Sequence, residues 1–80
     1  DPLVIVYPNP TNGLITIETG SAAEITKLSV SDAFGRLVRE FDTPVPGSQW
    51  HMDLSGQPTG LYILKLVSAE QSITKTIILR

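Results

Sequence analysis

Almost every apolar cluster in this chain is short, rich in β-branched residues and bounded by Gly, Pro, Asn or Asp, which is the signature of strands. The periodicity predicts strands over 3–7, 14–19, 25–32, 36–42, 48–54, 61–68 and 72–79. In the third, Leu28 and Val30 share one face while Lys27, Ser29 and Ser31 share the other, the alternation of a half-buried strand. The fifth repeats it, with Trp50, Met52 and Leu54 set against Gln49, His51 and Asp53. In the sixth, Tyr62, Leu64 and Leu66 form one row, and Ile63 and Val67 join the other around a single charge, Lys65. A strand apolar on both faces is expected to be central in its sheet or partly covered by a partner. No helix competes, because Ala22, Ala23 and Glu24 give barely one turn before Ile25.

The connectors are written in turn chemistry. In Tyr7–Pro8–Asn9–Pro10–Thr11–Asn12–Gly13, each proline fixes its own φ and pushes the residue before it out of the helical region, so the segment runs extended. Asn12 and Gly13 then supply a bend, since they tolerate positive φ most cheaply. Asp32–Ala33–Phe34–Gly35 fits a hairpin with a type I turn closed by a left-handed glycine, the Asp32 carboxylate capping backbone N–H groups. The links Pro44–Gly47 and Gly56–Gly60 are expected to cross between sheets, because proline has no place in a central ladder. Seven short strands with turns at this spacing predict an all-β fold, a seven-stranded antiparallel immunoglobulin-like β-sandwich, forming one domain over residues 1–80.

Composition narrows the function classes. Six Lys and Arg against eight Asp and Glu leave a net charge of −2, and the basic residues are scattered, so nucleic acid is not an expected partner. Cysteine is absent, so the fold is expected to depend on sheet packing alone. No apolar run is long enough for a membrane-spanning helix, and the start at Asp1 and Pro2 has no basic or apolar leader, which reads as a piece cut from something longer.

Candidate chemistry is sparse. His51, the single histidine, shares the polar face of its strand with Gln49 and Asp53, and Ser48 falls on the opposite face, so the pleat keeps hydroxyl and imidazole apart and no Ser-His-Asp triad forms there. The acids are not spaced as a calcium loop or with histidine as zinc ligands, and no glycine loop precedes a helix to hold phosphate. Neither enzymatic activity nor any metal or cofactor is expected. Of the five aromatics, Tyr7, Phe34, Phe41, Trp50 and Tyr62, Trp50 and Tyr62 are in phase with core neighbours, and the Tyr62 hydroxyl is expected to reach a polar group at the rim. Phe34 at the hairpin tip is expected to fold back over the sandwich end, the alternative being an exposed anchor for another protein.

Four segments together carry a resemblance: Pro8 to Gly13, Asp32 to Val38, Gly60–Leu61–Tyr62, and the basic, β-rich end from Thr74 to Arg80. In that order and spacing, over essentially the whole chain, they resemble the type A C-terminal sorting domain of type IX (Por) secretion. The resemblance implies a domain at the carboxyl end of a larger secreted cargo protein, taken to the periplasm and then across the outer membrane of a Bacteroidota-type bacterium. It implies as partners the outer-membrane translocon, a shuttle protein and a sortase-like peptidase, which removes the domain and joins the cargo to an anionic lipopolysaccharide. Carried onto this chain, the recognition positions are Pro8, Pro10, Gly13, Gly60, Tyr62 and Lys75. Each also has a structural reading: the prolines and Gly13 shape a crossover, Gly60 supplies a turn and Tyr62 fills the core.

Sheet physics supplies the expected mechanism. If Ser72–Leu79 lies at an edge, it presents unpaired main-chain groups to which a partner adds a strand, and the Pro8–Gly13 connector joins it in a composite surface. The competing reading is a structural or adhesive immunoglobulin-like module of a surface protein, with glycans as a candidate ligand.

Overall fold

The computed structural model describes residues 4–19, 25–42, 49–68 and 72–80. Within them seven strands follow in order: β1 (Val4–Tyr7), β2 (Leu14–Thr19), β3 (Ile25–Asp32), β4 (Leu37–Asp42), β5 (Gln49–Asp53), β6 (Gly60–Ser68) and β7 (Ser72–Leu79). They form two antiparallel sheets, one in the order β1-β2-β5 and one in the order β4-β3-β6-β7. The chain is thus a seven-stranded antiparallel sandwich, as the spacing of its apolar runs predicts.

Alternation builds the core. Val4, Ile15, Ile17, Met52 and Leu54 turn inward from the first sheet, and Leu28, Val30, Tyr62, Leu64, Leu66, Ile77 and Leu79 from the second. Each inward residue sits two positions from the next along its strand, so one face is dry while its neighbours meet solvent. Trp50 is half-buried and packs against this core. On the opposite face of β5, His51 is exposed and shares a 3.1 Å hydrogen bond between its Nδ1 and Thr16 Oγ1.

β6 lies between β3 and β7 and is thus central in its sheet, one of the two settings its apolar faces predict. Its outer row is not covered by any described segment, and Leu61 and Ile63 remain 42% and 38% exposed. β7, by contrast, is an edge strand, paired within its sheet only to β6.

The hairpin between β3 and β4 forms as its sequence dictates. Gly35 N–H donates to Asp32 O at 3.0 Å, and Asp32 Oδ1 accepts from the N–H groups of Phe34 and Arg36, each at 2.9 Å. Arg36 Nε reaches Asp32 Oδ2 at 3.0 Å. The strand β4 starts one residue later than predicted because the Arg36 carbonyl accepts from Asp32 N–H and closes the turn.

Phe34 departs from expectation. It does not fold over the sandwich end but stands out from the tip, 94% exposed. The carboxylate of Asp32 fixes the N–H groups on both sides of the Phe34–Gly35 step, so the turn is held with the ring aimed at solvent. The link 54–59 does pass from the first sheet to the second, as predicted. The Pro44–Gly47 link, Ser48 and the Ala22–Glu24 segment lie outside the described residues.

Candidate recognition surface

The connector Pro8–Gly13 leaves β1 at the edge of the first sheet and lies down along the outer edge of β7 in the second. Both X–Pro bonds in it, Tyr7–Pro8 and Asn9–Pro10, are cis. Asn9 makes the first contact: its Nδ2 donates to Thr76 O at 2.8 Å and its Oδ1 accepts from Ile78 N–H at 2.9 Å. One side-chain amide thereby occupies a main-chain acceptor and donor that an added strand would otherwise take. Thr11 makes the second, as a parallel bridge to Leu79, with its N–H on Ile78 O at 2.8 Å and its carbonyl accepting Arg80 N–H at 3.0 Å.

Thr11 is also the pivot of the bend. Its side chain is buried, its Oγ1 donates to Leu14 O at 2.7 Å, and the same oxygen accepts Gly13 N–H at 3.0 Å. A threonine two residues before a glycine is well suited to such a local loop. Gly13 has φ +148° and is buried against the end of β5, where its carbonyl accepts Leu54 N–H at 2.8 Å. A Cβ there would lie 2.6 Å from Ser55 Oγ and 3.2 Å from Ser55 N and Cα, so both the backbone angle and the space require glycine. The connector therefore ties the first sheet, through Leu54, to the edge of the second, through Thr76, Ile78 and Arg80.

The glycine and tyrosine positions belong to the same end. Gly60, at φ +147°, opens β6 opposite Leu79, and Tyr62 sits opposite Ile77. Tyr62 is 4% exposed and its hydroxyl donates to Pro58 O at 2.5 Å, holding the 54–59 link to the sandwich rim. The expectation of a core ring with a rim hydrogen bond holds for it.

Lys75 is placed differently. Ile73, Lys75, Ile77 and Leu79 form the inward row of β7, so this lysine is half-buried on the core side, opposite Leu64. Among the described residues no carboxylate lies within ion-pair distance of it. A cation turned inward on an edge strand is a known way of discouraging indiscriminate strand pairing.

Of the six sequence-predicted positions, the structure thus gathers Pro8, Pro10, Gly13, Gly60 and Tyr62 around the carboxyl-terminal half of β7. Lys75 lies further along the strand, past the last connector contact. Pro8, Pro10 and Gly60 are exposed, while Gly13 and Tyr62 are buried. Sequence reasoning passed over Asn9 and Thr11, which make the contacts that dock the connector. Among the described residues no group of three His, Asp or Glu side chains converges as a metal site, and no helix is long and apolar enough to cross a membrane.

The family model described as a secretion system C-terminal sorting domain matches residues 5–80 of this chain. The chain belongs to that family. It is a sorting domain of type IX secretion, the class of signal recognised by the type IX machinery and exported across the outer membrane to the cell surface or beyond. The match takes in the connector, the strands from β2 to β7 and all of β1 except Val4. No curated protein matches the chain.

Proposed function

We propose that this sorting domain works as a non-catalytic address at the carboxyl end of a larger cargo protein, read by its folded surface. The translocon and an outer-membrane shuttle protein recognise the surface made by the docked connector and β7. A sortase-like peptidase then removes the domain and attaches the cargo to the cell surface. The observation that carries this reading is the hydrogen bonding of Asn9 and Thr11 onto β7, which joins the connector and the last strand in one surface.

In this reading the six positions divide by burial. Gly13 and Tyr62 build the surface from beneath, Gly13 by admitting the close approach of Ser55 and Tyr62 by pinning Pro58. Pro8, Pro10 and Gly60 present it to the machinery, and Lys75 adds a charge where the edge opens. Recognition of shape and main chain would be tolerant of sequence, because strand edges and turns are set by backbone more than by side-chain identity.

The test is deletion of residues 72–80 from a signal-bearing fluorescent protein fused ahead of this chain. Export to the cell surface or medium should cease, with the protein retained in the periplasm. Unchanged surface display would contradict the proposal.

A further inference from the structure

The connector covers only part of the β7 edge. In the β6–β7 pair, the residues bonded outward are Thr76 through its carbonyl, Ile78 through both main-chain groups and Arg80 through its N–H. Antiparallel pairing alternates, so Thr74 and Ser72 also turn their N–H and C=O to the outer edge, as does the N–H of Thr76. No described segment meets these groups. Among the described residues, the edge is thus sealed from Thr76 O to Arg80 and open from Ser72 to the Thr76 N–H.

Two further features bear on what would occupy the open stretch. This edge already accepts an extended segment of its own chain, through the parallel bridge between Thr11 and Leu79. Lys75 lies within the open stretch beside its sealed end, half-buried on the inward row and without a carboxylate among the described residues. A strand added here would place one of its own inward side chains beside Lys75, within about 5 Å at Cβ. An apolar residue there would bury the charge unpaired, whereas an acidic one would pair with it.

We propose that Ser72–Thr76 is a strand-addition site for an extended segment of the export machinery that carries an acidic side chain beside Lys75. The docked connector sets where that segment must stop, and so fixes its register. The inference rests on the sorting-signal reading and adds to it the form and charge of the partner.

The test uses the reporter fusion in an export-competent host together with the isolated 80-residue chain. Thr74→Pro removes an outward N–H without touching the bonds to β6, a position where an edge strand accepts proline. Surface display of T74P should fall about tenfold or more while its melting temperature falls by less than about 5 °C. Lys75→Arg should be displayed and Lys75→Glu should not. Amide exchange needs no variant: Thr74 and Thr76 N–H should exchange fast in the free chain, and Ile78 and Arg80 N–H slowly. Normal display of T74P or of K75E, beside an exported wild-type fusion, would overturn the inference and leave the sorting reading standing. Failure of the wild-type fusion itself would remove that reading. Slow exchange at Thr74, or a dimer of the wild-type chain that T74P dissociates, would show the edge already taken and also overturn the proposal.

Discussion

Asn9 and Ile78, separated by 69 residues, are joined by a hydrogen bond from the Ile78 N–H to Asn9 Oδ1 at 2.9 Å, and the other end of the same amide holds Thr76 O. The side chain takes the place of a neighbouring strand at the end of β7. Asn9→Ala frees both main-chain groups and is expected to lower stability by about 1–2 kcal/mol. For a domain of this size that is a fall of roughly 5–15 °C in melting temperature. Amide exchange at Ile78 should accelerate together with the thermal loss; unchanged protection there would mean that Asn9 does not hold the edge.

Gly13→Ala meets two obstacles, a φ of +148° and a Ser55 Oγ at 2.6 Å from the new Cβ. The expected cost is about 2–4 kcal/mol, measured as a lower urea midpoint at unchanged slope. Adding Ser55→Gly should recover only part of it, because Ser55 N and Cα still lie at 3.2 Å and the backbone angle remains. Full recovery in the double variant would assign the whole cost to the serine hydroxyl and none to the backbone.

Lys75→Ala separates signal from scaffold. Removing a half-buried cation with no carboxylate among the described residues should leave stability within about 1 kcal/mol of the parent. Export of a fused reporter should fall several-fold all the same. Parallel losses of export and melting temperature would place Lys75 in the fold alone.

Asp32 gives the hairpin a pH dependence. The Arg36 N–H, then that of Phe34, and the Arg36 guanidinium hold its carboxyl below the ordinary 3.8. A carboxyl whose pKa is lower folded than unfolded stabilises the fold above the unfolded value, and that contribution is lost as pH falls through the folded one. Stability should therefore decline on acidification below about pH 4, and Asp32→Asn should flatten that part of the profile. Asp53, lowered chiefly by hydrogen bonds from Ser55, contributes in the same direction, so some decline should survive in the variant.

The strands were legible because their faces alternate: Leu28 with Val30, and Tyr62 with Leu64 and Leu66, declare an inner row without help from the rest of the chain. The Asp32–Gly35 turn was legible for the same local reason. What the sequence left open is long-range or ambiguous in period. The connector's bend could be read from Asn12 and Gly13, but its docking by Asn9 onto Thr76, 67 residues away, leaves no local trace. The side on which Lys75 falls was hidden because Ile77, Ile78 and Leu79 are apolar in succession, so both rows of β7 look alike. Phe34 was misjudged because apolar character favours burial in general, while the Asp32 carboxylate fixes this turn with the ring outward.

The central claim is that these residues, folded as described, suffice to send a protein through type IX secretion. The most direct measurement appends them to an inert, signal-bearing fluorescent protein and compares its location in a host with the type IX machinery and in a mutant lacking it. Fluorescence at the cell surface or in the medium of the first, and in the periplasm of the second, is the predicted result. The same distribution in both strains would contradict it.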